Sequence, residues 1–167
     1  MESLFGFFYV ALGSSSEPLC MNIIRLTKEF RFEGAHALRG YEGKCRHIHG
    51  HSYLLRVTVS GVPDNRSAHP TNGMIMDFGA LKELVNLLII QPFDHALLLR
   101  EDAPLTQALR EEYQNVLVLP FQPTCEQLCI HFASLLAPAI PEPAKLFSIR
   151  LYETPNSFAE WFALDNL

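Results

Sequence analysis

The sequence predicts an α+β domain in which a small antiparallel sheet carries two helices on one face. Three observations lead there. Two stretches, 22–36 and 49–61, alternate apolar and polar residues with the period of a half-buried strand. Two later stretches, behind Asp77 and Thr124, repeat apolar residues at helical spacing after side chains suited to N-capping. A further alternating run at 145–153 reads as a closing strand. At 167 residues the chain fits one domain, long enough to bury a substantial core.

Residues 1–20 hold a nine-residue, mostly apolar run from Leu4 to Leu12 followed by Gly13-Ser14-Ser15-Ser16-Glu17-Pro18. A bilayer span needs about 20 apolar residues, and a secretory signal needs a basic start where this chain has Glu2. The expectation is an N-terminal extension, with Met21 as an alternative start, preceding a single domain at 21–167. In the first strand Ile24, Leu26, Lys28, Phe30, Phe32, Gly34 and His36 share one face, and Arg25, Thr27, Glu29, Arg31 and Glu33 the other. A glycine-punctuated loop, 37–44, delivers Cys45. In the second strand His49, His51, Tyr53, Leu55, Val57 and Val59 share a face. The turn-rich segment 62–73 reads as a solvent loop, and Met74-Ile75-Met76-Asp77 as a short strand. Asp77 then caps a helix carrying Leu81, Leu84, Val85 and Leu88, which ends by Pro92. Asp94 and His95 follow that terminus, 103–114 adds a helical turn or two, and Val116-Leu117-Val118-Leu119 is a short extended run. Thr124, with Gln127 in the capping-box position, opens a helix whose stripe is Leu128, Phe132, Leu135 and Leu136, closed by Pro138. In the last strand Phe147, Ile149, Leu151 and Glu153 alternate against Leu146, Ser148, Arg150 and Tyr152.

The histidines carry the chemistry. Side chains two apart on a strand lie on one face with Cα atoms about 6 to 7 Å apart, so His49 and His51 can lean toward one metal ion at about 2.0 to 2.1 Å each. An antiparallel pairing of the first two strands sets the end of one beside the start of the other, bringing His36 to the same place. A lone histidine on an apolar face is ordinarily a core residue satisfied by a carbonyl; three at strand ends, two of them in register, point instead to a catalytic zinc site with an open fourth position. His47 is out of step with the pair and reads as a surface residue or a support for a ligand from behind. His69 and His131 read as structural or solvated.

Composition narrows the function classes. The net charge of −5 and the absence of any basic cluster argue against nucleic acid as a partner. Cys20, Cys45, Cys125 and Cys129 lack the spacing of a disulfide framework, which fits a reducing cytosol. Cys125 and Cys129, four apart on a helix, read as small buried hydrophobes. With 49% hydrophobic and 19% charged residues, some apolar surface is expected to be covered by other subunits.

Phe32-Glu33-Gly34-Ala35-His36, then Cys45-x-x-x-His49-Gly50-His51, Phe93-Asp94-His95 and Glu153-Thr154 occur in this order over about residues 22–162. In these motifs the chain resembles the 6-pyruvoyltetrahydropterin synthase and 6-carboxytetrahydropterin synthase family. The resemblance implies the tunnelling fold, with sheets joining into a barrel across subunits, usually as a dimer of trimers with sites at the interfaces. It implies Zn2+ on His36, His49 and His51 and a pterin substrate; with the cysteine usage and the short apolar run, the expectation is no membrane partner and a cytoplasmic location. Cys45, Asp94 and His95 match positions said to act together across a subunit boundary, the acid orienting the imidazole and the imidazole exchanging a proton with the thiol. Glu153 matches the carboxylate that holds the 2-amino-4-oxo ring through parallel N–H bonds, although pairing with Arg150 would also account for it. Thr124 and Glu126 resemble positions near the pterin, and helix capping explains them almost as well. The four-residue step from Cys45 to His49 resembles the 6-carboxytetrahydropterin branch of queuosine synthesis, and the pyruvoyl branch has a longer gap. That branch converts 7,8-dihydroneopterin triphosphate to 6-carboxytetrahydropterin, releasing acetaldehyde and triphosphate. Gly34 departs from the Ala more common in the family. Two other classes use the same histidines: a zinc hydrolase with a carboxylate base beside the metal, and a non-catalytic protein that binds zinc or pterin.

Overall fold

A computed structural model describes residues 22–104 and 106–166. The extension expected at 1–20 and the alternative start at 21 lie outside the described residues. β1 (Ile24–His36) and β2 (His49–Gly61) pair antiparallel along their whole length, so Phe30 faces Leu55, Phe32 faces Tyr53 and His36 faces His49. The alternation seen in the sequence dictates this register, because a slip by one residue would turn every core side chain to solvent.

β3 (Ala96–Arg100), β4 (Val116–Leu119), β5 (Lys145–Thr154) and β6 (Ser157–Phe162) complete a six-stranded sheet in the order β4-β3-β1-β2-β5-β6. It is mixed, not the antiparallel sheet expected. β3 runs parallel to β1, and β4 parallel to β3. Parallel neighbours require a long crossover, and the helical segment before β3 and helix α3 (Thr106–Glu112) before β4 supply it. β3 was not expected as a strand, because the run Ala96-Leu97-Leu98-Leu99 has no period-2 alternation and is largely buried. β6 was also unforeseen; it returns along β5 after the turn at Pro155 and Asn156. The short strand expected at 74–77 does not form. That segment is tied back to the preceding loop, with Asp64 N–H donating to Met74 O at 2.9 Å, while Ile75 fills the edge of the core.

α1 (Phe78–Val85) starts where expected: the Asp77 carboxylate accepts from the N–H groups of Gly79 and Ala80 at 2.7 and 3.1 Å. The helix does not stop before Pro92. A π-turn (Asn86–Ile90), in which Gln91 N–H reaches Asn86 O, leads into a last turn, α2 (Gln91–Phe93), that holds the proline. α4 (Cys125–Leu136) is capped by Thr124, whose hydroxyl accepts from Gln127 N–H.

Leu81, Val85 and Ile89 from the first helical segment and Leu128, Phe132 and Leu136 from α4 cover the sheet face formed by Phe32, Tyr53, Leu55, Val57, Ile149 and Leu151. Each such side chain contributes about 1.5–3 kcal/mol of burial. Phe147 is an exception to the expected β5 pattern. A bulge opposite Thr58 and Val59 makes it the extra residue, so Leu146 takes the core position and Phe147 turns to the reverse face against Phe162.

Candidate metal centre

The three imidazoles converge. His36 closes β1, and His49 and His51 open β2, all on the helix-covered face; their ligand atoms lie within 4.8 Å of one another. Each ring is set by a local contact. His36 Nδ1 donates to the Pro123 carbonyl at 2.6 Å, and His49 Nδ1 donates to the His47 carbonyl at 2.8 Å. A carbonyl only accepts, so both rings carry their proton on Nδ1. In the neutral form, Nε2 of each is then a bare lone pair.

Those two Nε2 atoms stand 3.1 Å apart. Two lone pairs at that distance repel unless a proton or a metal ion lies between them. Protonation is opposed: burial, above all, holds His36 below its ordinary value, with the neighbouring histidines adding to the effect, and burial likewise lowers His51. His51 Nε2 is buried without a hydrogen-bond partner. Three imidazole nitrogens, two in mutual contact and one orphaned, fit a divalent cation of the kind that takes imidazole ligands.

Glu153 arrives from β5 on the same face. Its Oε1 lies 3.5 Å from His36 Nε2 and 3.7 Å from His51 Nε2, and the carboxyl is partly open to solvent. The alternative pairing with Arg150 is not made, since that guanidinium binds Glu160 at 2.6 Å on the other face of the sheet. Thr124 and Glu126 sit in the first turn of α4, immediately after Pro123, whose carbonyl holds His36. Thr124 caps the helix, and Glu126 is exposed. Cys125 and Cys129 are buried, their thiols donating to the carbonyls of Leu151 and Ala159. Tyr53, two residues beyond His51, is fully buried; its ring stacks on Phe32 with centroids 4.9 Å apart and its hydroxyl has no partner.

Asp94 and His95 form a second cluster. Asp94 Oδ1 accepts from Glu33 N–H at 2.9 Å and contacts His95 Nδ1 at 3.0 Å. The Glu33 N–H, first, and then the His95 ring hold the Asp94 carboxyl below the ordinary range. His95 is 75% exposed and lines a cavity of about 890 Å3 with Glu33, Ser52, Leu97 and Tyr113. Glu33 alternates with Phe32 and Gly34, and Ser52 hydrogen bonds to it at 2.7 Å, so this cavity opens on the sheet face opposite the core. One chain therefore brings His36, His49, His51 and Glu153 together, while Asp94 and His95 form a separate cluster beside Glu33, at a cavity on the reverse face that His51 also borders. Cys45 sits in a 3-10 turn (Lys44–Arg46), its backbone carbonyl accepting from Leu38 N–H. Its thiol makes no hydrogen bond among the described residues.

Sequence reasoning missed the Pro123 carbonyl, the Tyr53 hydroxyl and Asn115, whose side chain donates to the Asp94 carbonyl at 3.0 Å. The Pro-Thr cap before α4 hints at the first; nothing local marks the other two. His47 reaches the trio through its carbonyl, which accepts from His49 Nδ1. His69 joins the Asp64, Arg66 and Thr71 cluster of the 62–73 loop, and His131 lies between Phe93 and Phe121. No helix among the described residues is long and apolar enough to cross a membrane.

The profile of the family described as 6-pyruvoyl tetrahydropterin synthase matches residues 25–163. A Haemophilus influenzae protein named 6-carboxy-5,6,7,8-tetrahydropterin synthase is 34% identical over 143 residues, which cover 83% of this chain and 99% of that one. A Synechocystis protein of the same name is 35% identical over 137 residues, 81% of this chain and 91% of its own. Among solved structures, an uncharacterized protein of Wolinella succinogenes superposes with a TM-score of 0.73 at 24% identity over 85% of this chain and 99% of its own. The Caenorhabditis elegans 6-pyruvoyl tetrahydropterin synthase does so with a TM-score of 0.63 at 24% identity over 86% and 97%. These two establish the tunnelling fold.

Proposed function

The chain belongs to the 6-pyruvoyl tetrahydropterin synthase family, and on that premise we propose that it converts 7,8-dihydroneopterin triphosphate to 6-carboxy-5,6,7,8-tetrahydropterin, releasing acetaldehyde and triphosphate, in queuosine synthesis in the cytoplasm. The observation that carries this reading is the convergence of three imidazoles, two with their Nε2 atoms in mutual contact and one with its Nε2 buried and unpartnered. The names of the 34% and 35% identical relatives select the carboxy product.

His36, His49 and His51 would hold Zn2+, which supplies a Lewis acid for vicinal substrate oxygens. Glu153 accepts the paired N–H groups of the pterin ring and fixes its orientation. Its Oε1 lies 3.5 and 3.7 Å from two of the imidazole nitrogens, which supports a pterin ring bound beside the metal position. Thr124 and Glu126 flank that end of the site. Cys45, as its thiolate, takes a proton from the substrate and, as the thiol so formed, returns it. His95, oriented by Asp94, exchanges that proton with the thiol. Because Asp94 and His95 lie across the sheet from the trio in one chain, they serve the site of a neighbouring copy, in a homo-oligomer built as a dimer of trimers.

The same carboxylate beside the metal position is also what a zinc hydrolase would need as its base. Incubating the purified protein with 7,8-dihydroneopterin triphosphate and reading the products by mass separates the readings. The proposal expects 6-carboxytetrahydropterin and acetaldehyde from the wild type, and loss of both in Cys45→Ala. A pyruvoyl product would move the chain to the other branch. Hydrolysis that survives Cys45→Ala would assign the hydrolase, and binding without turnover a non-catalytic role.

A further inference from the structure

Asp94 and His95 are joined by a peptide unit in an unusual state. Asp94 has φ −68° and ψ 128°, and His95 has φ 59°. These three angles match the central pair of a type II turn, whose third residue is ordinarily glycine because a Cβ disfavours positive φ. Rotating the connecting peptide by half a turn would give the type I turn, which suits a histidine better. Such a conformation persists only where the surroundings over-determine it.

Two contacts do so, one at each end of that peptide. His95 N–H donates to the Glu33 carbonyl at 2.6 Å, and the Asp94 carbonyl accepts from Asn115 Nδ2 at 3.0 Å. The β1 backbone thus holds the N–H side, and a single side chain holds the oxygen side. Asn115 is itself anchored, since its own carbonyl accepts from Leu97 N–H at 2.9 Å and β4 begins at the next residue. It also lines the cavity that His95 faces.

We propose that Asn115 is a positioning residue: its amide holds the Asp94 carbonyl, blocks the peptide flip and so presents the His95 imidazole in one orientation. The inference rests on the reading of His95 as a proton carrier, but the turn itself is measurable without turnover. Loss of the amide lets the peptide rotate, which carries the imidazole away from Asp94 Oδ1 and from the direction in which it serves a neighbouring site. A misplacement of this kind costs roughly ten- to a hundredfold in rate.

Asn115→Asp keeps the shape, removes the donor and sets an acceptor against the carbonyl; Asn115→Ala removes the group. In 15N-labelled protein, the His95 ring signals and the His95 backbone amide report tautomer and turn geometry, while turnover of 7,8-dihydroneopterin triphosphate reports kcat and KM separately. The proposal expects both variants to shift the His95 ring and amide signals, to lower kcat roughly ten- to a hundredfold and to leave KM, melting temperature and bound metal near wild type. Unmoved His95 signals in both variants overturn it, as does a fall in kcat that only tracks a lower melting temperature. If the wild type turns over no pterin, the function reading fails while the spectra still decide the turn.

Discussion

His51 states the metal case most sharply, because its Nε2 is buried and has no partner. Removing it leaves two imidazoles, fewer than a tight site uses. His51→Ala is expected to lower zinc affinity by more than the roughly 10- to 100-fold that loss of an outer supporting group costs, checked by elemental analysis after dialysis against a weak chelator. Asp94 makes a different prediction. Its carboxyl is held below the ordinary value by the Glu33 N–H and then by His95. Its stabilising contribution is therefore complete above the unfolded value of about 3.9 and is lost as pH falls through the lowered folded value. A 13C titration of the Asp94 carboxyl should show a midpoint below the model-peptide value, and Asn at this position should remove that part of the acid unfolding; a midpoint at or above 3.9 would contradict the contacts. At this scale the trio was legible because imidazoles at alternate strand positions have one geometric meaning. The clamp by Asn115 was not, since it joins residues far apart in the chain.

α4 shows how one element serves both stability and the site. Thr124 accepts from Gln127 N–H, and the residue before it supplies the carbonyl that holds His36. Thr124→Ala is expected to cost about 1 kcal/mol of stability, read from the denaturant midpoint, and to loosen metal binding through the freed Pro123 peptide. An equal loss of stability with unaltered zinc affinity would mean that the cap and the His36 contact are independent. The two long strands and both capped helices were legible because amphipathic period and capping chemistry are local. β3 and β6 were not. The first is an apolar run without alternation, and the second gains its identity only by pairing with β5. The mixed sheet follows from the same cause, because strand direction is set by which neighbour a segment finds.

For the whole molecule, the sheet ends on β4 and β6 with an outer edge on each, and such edges invite pairing with another copy. The proposed dimer of trimers predicts a hexamer in sedimentation. It also predicts that an inactive Cys45→Ala chain and an inactive His95→Ala chain regain activity when mixed, since one hybrid boundary then holds an intact Cys45 and an intact His95. Activity that never recovers on mixing would place the two residues in one chain's site. By itself the sequence determined the α+β class, the antiparallel pairing of β1 with β2 and the convergence of three histidines, because a strand's period and a hairpin's geometry are properties of neighbouring residues. Only the tertiary structure decided the sheet order, the approach of Glu153 to the imidazoles and the placing of Asp94 and His95 on the reverse face. Those depend on which distant segments bury one another's apolar surface, a contest that no local pattern records.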